Sequence, residues 1–284
     1  MTCCTPSHPR PSDPASLPPA GGGRDDAVVV ALSGGEFLMG EDSDWSYPED
    51  GEGPVRPVRV EAFALDVCAV SNARFAAFVA ATDHVTDAER YGWSFVFAGL
   101  LPDDFEDTRA VEQAPWWRQV FGATWRSPEG PRSDVTTRLD HPVVQVSARD
   151  AAAFAAWAGK RLPTEQEWEY AARAGSATTF PWGNELEPGG EQRANVWQGE
   201  FPSSPTAGTC PVDAFPSDAF GTHNMIGNVW EWTASSWSGG QLLKGGSYLC
   251  HASYCRRYRP AARSIASPDS SMGNTGFRCA QALA

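Results

Sequence analysis

The chain has 284 residues, 42 % of them hydrophobic, and carries a formal net charge of −13 with a pI near 4.8. That size suits one large domain or two small ones with a real core, and the acidity argues against a nucleic-acid backbone or an anionic membrane as partner. No apolar run approaches the roughly 20 residues of a membrane-spanning helix. The Pro-, Ser- and Gly-rich N-terminus also lacks the apolar stretch of a signal peptide, so a cytoplasmic location is expected.

Residues 1–25 read as a flexible tail, with Gly21-Gly22-Gly23 and no apolar period. Folding is expected from Asp26, giving one domain over 26–284. Val28–Leu32 has the apolar character of a buried strand, and Gly34-Gly35 turns the chain into Glu36–Gly40. A further strand region runs through Val55–Leu65, where Val58, Val60 and Ala62 alternate. Ser71 caps a helix burying Phe75, Phe78 and Val79. Ser147 and Asp150 resemble a capping box, opening an Ala-rich helix that buries Phe154 and Trp157 and stops at Gly159. Thr164 and Glu167 form a full capping box after Pro163, opening a helix that turns Trp168, Ala171 and Ala172 inward. Beyond Pro181 no long helix is predicted. With 27 glycines, 23 prolines, no internal repeat and no second break in composition, the expectation is one mixed α+β, loop-rich domain.

Seven cysteines, at 3, 4, 68, 210, 250, 255 and 279, make no disulfide framework. Cys250 and Cys255 stand out. Five residues carry a helix through about 500°, so the two share no helical face, and in a strand an odd separation puts them on opposite faces. If they act together, a loop must join them, and Gly245-Gly246 just before supplies permissive backbone. Three readings stand: a two-thiolate Cu(I) site, a reversible disulfide, or two small buried hydrophobes. Arg256, Arg257 and Arg259 nearby would lower a thiol pKa. Four ligands for zinc are not apparent.

Asn224–Trp232 mixes an amide, a carboxylate and turn residues. It reads either as a Ca²⁺ loop or as a turn entering a Trp-rich core strand. Lys160–Glu165 reads as a helix entry with salt-bridge options. Trp93, Trp116 and Trp117 are candidates to line a peptide groove, or simply core.

Taken together, Gly159–Glu165, Glu167–Arg173, Pro181–Asn184, Ala194–Gly199, Pro211–Phe215, Gly227–Trp232, the Cys250/Cys255 run and Asn274–Cys279 resemble the formylglycine-generating enzymes, or sulfatase-modifying factors. The likeness covers about Gly34 to Cys279. The earlier motifs mark a broad superfamily with non-catalytic and iron-dependent members, whereas Cys-x4-Cys marks the formylglycine generators.

The resemblance implies a fold related to C-type lectins, with little regular secondary structure. It implies oxidation by O₂ of the cysteine in a Cys-x-Pro-x-Arg motif of an unfolded sulfatase chain, giving Cα-formylglycine, with an external thiol as reductant. Cys250 and Cys255 would hold copper as Cu⁺, and the target thiolate would add a third sulfur. Loss of a Cβ hydrogen would give a thioaldehyde that water hydrolyses. Ser94, Ser247 and Asn274 match positions near the reacting centre, and Trp93, Trp230 and Tyr254 are expected walls. Calcium is implied at Asn224, Gly227, Val229 and Glu231. Asn195 and Val196 match the start of a second calcium site whose carboxylate loop is shortened here to Pro202–Thr209, without an acid. Ala148-Arg149 replaces the usual Trp-Asn, the Trp237–Lys244 segment is short, and Cys279 lacks the family's disulfide partner, because the matching helix position is Ala155.

The tail adds Cys4-Thr5-Pro6-Ser7-His8, the target pattern with His for Arg. It reads either as a pseudo-substrate for its own or a neighbour's groove, or as a chance Cys-x-Pro. Rival functions are a non-catalytic binding protein on the same scaffold, an iron-dependent sulfoxide synthase, which would need a His-rich helical domain, and a copper-free thiol–disulfide exchanger.

Overall fold

The computed structural model describes residues 5–6, 25–203 and 208–283. Of the expected tail this includes Thr5, Pro6 and Asp25, while Cys4, Ser7 and His8 lie outside the described residues.

Four α-helices are present among these. In α1 (Asn72–Thr82) the Ser71 Oγ accepts the Arg74 amide, and Phe75, Phe78 and Val79 form the buried stripe. The second, α2 (Asp87–Tyr91), has a complete Thr86/Glu89 capping box, but its five residues are too short for any apolar period to announce it. Before α3 (Ala148–Trp157), Asp150 closes the box with Ser147 despite its shorter side chain, and before α4 (Glu165–Arg173) Thr164 and Glu167 do the same.

Strands are short and fall into four small sheets. Phe63–Asp66 pairs antiparallel with both Val29–Leu32 and Ala280–Ala282, so the first and last strands flank one centre. The region expected as a single strand over Val55–Leu65 is two: Arg56–Val60 pairs with Gly35–Met39, and after Glu61-Ala62 the chain joins the other sheet. Trp93–Phe97 pairs with Ala114–Phe121, which also takes Ala110–Val111. The fourth sheet runs Ser264–Ala266, Gly240–Lys244, Trp230–Trp237, Thr275–Gly276. The short Trp237–Lys244 segment is the hairpin of this sheet. Ser238 and Gly239 turn it at φ 49° and 83°, the doubly left-handed two-residue turn that suits strand twist.

Phe75, Phe78, Phe154 and Phe277 pack ring against ring under α1 and α3. A second cluster holds Trp168, Ala171 and Ala172 against Leu65 and Met225. Because so little backbone is in ladders, buried ion pairs fix long irregular segments to this core. Arg278 grips Glu231 with two bonds of 2.7 and 2.8 Å, and Arg259 grips Glu52 at 2.8 and 3.0 Å. Lys244, fully buried, lies 3.0 Å from Glu169. Burial pushes the Glu169 carboxyl up, but Lys244 and Arg173 outweigh it and hold it below the ordinary value. Lys160, expected to offer salt bridges, ties Asp25 and Asp66 together at 2.7 Å each.

Candidate functional site

The loop required to bring Cys250 and Cys255 together is formed by two tight turns. The Cys250 amide donates to the Ser247 carbonyl at 2.9 Å, and the Cys255 amide to the His251 carbonyl at 2.7 Å. This folds the two thiols to an Sγ–Sγ distance of 3.6 Å, both fully buried. Gly246 is needed for that approach. It sits at φ 74°, and a Cβ there would meet the Tyr258 Cα at 2.8 Å and the Arg257 carbonyl at 2.9 Å. The separation is well beyond the roughly 2.05 Å of a disulfide. It is within twice the roughly 2.3 Å of a metal–thiolate bond, so one soft ion can touch both sulfurs.

Donors converge on the pair. The Ser247 amide points to Cys250 Sγ at 3.4 Å, and Arg257 Nη1 to Cys255 Sγ at 3.9 Å. Of the three arginines in the run, Arg257 alone has such a bond to these sulfurs among the described residues. Arg256 is held by the Asp44 carbonyl and Arg259 by Glu52. Tyr258 is pushed up to about 12, first by burial and then by the neighbouring sulfur charges. Asn274 Nδ2 donates to Ser247 Oγ at 3.0 Å, and the Leu249 amide to the same oxygen at 3.3 Å. Both bonds use Ser247 Oγ as acceptor, which leaves its own proton to be donated elsewhere.

Three residues before Asn274, Ser271 meets Ser94: Ser94 Oγ lies 2.6 Å from Ser271 Oγ, 2.8 Å from the Ser271 carbonyl and 2.5 Å from Gln145 Oε1. Cys250, Cys255, Ser247 and Asn274 are thus joined by direct contacts, and Ser94 is linked to them through the three residues of chain between Ser271 and Asn274. Among the expected walls, Tyr254 is half-buried, stacked on Phe201 at 4.1 Å and edge-on to Trp116 at 5.2 Å. Trp93 is half-buried against Phe95. Trp230 and Trp117 are fully buried core residues.

Residues 17–283 match the model of the sulfatase-modifying factor enzyme 1-like domain. The chain belongs to that family. It is 52 % identical to the formylglycine-generating enzyme of Thermomonospora curvata over 280 residues, which is 89 % of this chain and 92 % of that protein. To the formylglycine-generating enzyme of Streptomyces coelicolor it is 51 % identical over 96 % of this chain and 95 % of that one. The solved structure of PvdO from Pseudomonas aeruginosa superposes with a TM-score of 0.66 at 25 % identity, covering 96 % of this chain and all of PvdO. The mixed, loop-rich sulfatase-modifying-factor fold expected from the sequence is the one found.

Within this sulfatase-modifying-factor domain the residues proposed for calcium lie side by side, as Asn195 bridges to Gly227. Asn224 spends Nδ2 on the carbonyls of Pro211 and Val212, but its buried Oδ1 has no donor, an orphan a cation would satisfy. Glu231 differs: its carboxylate already accepts Arg278 twice and the Trp168 indole N–H at 2.8 Å. An ion there would share this carboxylate with a guanidinium. Asn195 gives Nδ2 to Gly208 and Asn228, and its carbonyl accepts the Asn228 amide. Val196 is buried beside it, and the shortened loop falls partly outside the described residues.

Gln145 and Arg257 escape a sequence reading as site residues. Gln145 is fully buried at φ 61° and its amide clamps Ser94 and the carbonyls of Phe95 and Pro128, yet nothing in Val144-Gln145-Val146 announces a left-handed residue. Arg257 was legible only as one of three cations.

Proposed function

We propose that Cys250 and Cys255 hold copper(I) and that the protein there converts the cysteine of a Cys-x-Pro-x-Arg segment in an unfolded sulfatase chain to Cα-formylglycine. Generation of formylglycine follows from its family and from relatives with half of their residues identical over nine-tenths of the chain. The copper assignment is carried by one observation, two buried sulfurs 3.6 Å apart without a bond between them. Copper would supply a soft, one-electron centre for O₂ chemistry.

The remaining roles belong to this chain's own atoms. Burial excludes water from the sulfurs, and the Ser247 amide and Arg257 are the donors aimed at them. Asn274 fixes Ser247 so that its hydroxyl proton is available to an oxygen or sulfur of the reacting pair. Ser94, locked by Gln145 and Ser271, and the half-buried Trp93 and Tyr254 bound the space for the target peptide. In this reading the target cysteine adds the third sulfur. The overall change, –CH₂SH with O₂ and two electrons and two protons from an external thiol, yields –CHO, H₂S and water. Cytoplasmic action belongs to the same proposal, in keeping with the unbridged Cys68, Cys210 and Cys279.

Incubating copper-loaded protein, a thiol reductant, air and a Cys-x-Pro-x-Arg peptide should lower the peptide mass by about 18 Da, the cysteine-to-formylglycine difference. An unchanged peptide beside protein that has bound Cu(I) would sink the proposal and favour the non-catalytic binding reading.

Calcium at Asn224, Gly227, Val229 and Glu231 is also proposed, supported by the orphaned Asn224 oxygen. At calcium about 100-fold above its Kd the melting temperature should rise by roughly 5–10 °C. Asn224→Ala should lose most of that rise. Equal shifts in both proteins would place the ion elsewhere.

A further inference from the structure

We infer that Asp50 and Tyr47 are positioning residues for the sulfur pair: they aim the Arg257 guanidinium at Cys255 and so set how tightly the pair holds Cu(I). This rests on the copper reading above.

Three contacts fix that guanidinium. Its Nε lies 2.5 Å from Asp50 Oδ2, its Cζ stands 4.0 Å over the Tyr47 ring, and its Nη1 points to Cys255 Sγ at 3.9 Å. The Arg257 side chain is only 5 % exposed, so carboxylate, aromatic face and sulfur meet it away from bulk water.

Asp50 and Tyr47 belong to a segment about two hundred residues earlier in the chain, and that segment is clamped in place. The Tyr47 hydroxyl accepts the Arg256 amide at 3.2 Å, Arg263 Nη1 donates to the Gly51 carbonyl at 2.7 Å, and Arg259 holds Glu52. Gly51 turns the chain between these anchors at φ 70°, where a Cβ would meet Arg263 Nη1 at 2.8 Å. The aim of Arg257 is therefore set from outside its own loop.

Charge balance gives that aim a consequence. Arg173, Glu169, Lys244, Glu165 and Arg263 follow one another as ion pairs through the interior. Arg263 also bonds the Asp50 carbonyl at 3.4 Å, and Asp50 with Arg257 closes the series. It holds four cations and three carboxylates, and its Arg257 end meets Cys255. Buried charge is costly unless it is matched. Two thiolates with Cu(I) carry one net negative charge and match the excess, whereas a disulfide or two neutral thiols carry none. A donor onto a metal-bound sulfur also orients that ligand, and loss of such a partner typically costs about 10–100-fold in metal affinity.

The test reads the Cu(I) affinity of the full-length chain against a chromogenic chelator, without peptide or turnover. Asp50→Ala releases Arg257 and should weaken Cu(I) binding roughly 10–100-fold, and Tyr47→Leu should act in the same direction. Asp50→Asn keeps an oxygen for Arg257 Nε and should restore most of the loss. Arg257→Met should cost as much as Asp50→Ala, and the double variant no more than either, because both act through one guanidinium. A merely structural role would instead add the two losses and lower the melting temperature in step. Unchanged affinity in Asp50→Ala or Arg257→Met, beside a wild-type chain that binds Cu(I), overturns this inference and leaves the copper reading standing. Additive losses in the double variant overturn it as well. A wild-type chain that binds no Cu(I) overturns the copper reading itself, and this inference with it.

Discussion

Cys250→Ser lowers formylglycine formation by at least about a thousandfold, equivalent to roughly 4 kcal/mol of lost transition-state stabilisation. Serine keeps the size of the side chain and the two tight turns, but a hydroxyl does not ionise or bind a soft ion as a thiolate does. Binding of Cu(I), followed by competition with a chromogenic chelator, should fall in parallel, while the target peptide still binds. Cys279→Ser is the matched control. That thiol is equally buried, and burial pushes its pKa well above the ordinary value, but it lies beside Asp66 rather than at the sulfur pair. It should keep both copper and activity. Retention of more than a tenth of the activity by Cys250→Ser would refute the role assigned to the pair. Loss of activity in the control as well would point to folding instead. A copper-free thiol–disulfide exchanger is separated by the same measurement, because a strong Cu(I) chelator would leave it active.

Arg278→Met is expected to be the most damaging change far from the sulfurs. Arg278 and Glu231 are both essentially inaccessible, and removing the guanidinium leaves a buried carboxylate with the Trp168 indole N–H as its side-chain donor. Breaking such a pair costs about 3–5 kcal/mol, which for a chain of this size lowers the melting temperature by roughly 10 °C. The double variant Arg278→Met with Glu231→Leu should recover part of the loss. Recovery stays partial because the carbonyls of Asp66, Val67 and His223 still lose the guanidinium that bonds them. A single variant melting within about 2 °C of the parent would show that the pair contributes little.

The helices were legible because their signals are local. Ser71, Ser147 and Thr164 cap them through side chains three residues from their partners, and the apolar stripes repeat within a turn or two. The Cys250/Cys255 run and the other motifs identified the family for the same reason: each is a short contiguous stretch of chain. Where pairing crosses the sequence, legibility ends. Val55–Leu65 divides between two sheets because its partners, Gly35–Met39 and Ala280–Ala282, lie on either side of it at very different distances. That Trp230 is fully buried was likewise not legible, since its indole is covered by elements that only tertiary packing brings there.

The sequence by itself determined the family, the helix starts and the need for a loop if the two cysteines are to act together. Tertiary structure alone decided that the sulfurs stand 3.6 Å apart, that Arg257 rather than its neighbours faces them, and that Gln145 locks Ser94. It also decided that Glu231 is paired with Arg278, and that the Thr5 hydroxyl meets Ser264 and Ile265 across some 260 residues of chain. The physical reason is that propensity and capping act over a few residues, whereas the pairing of buried charges and hydroxyls is fixed only when the whole chain has removed them from water.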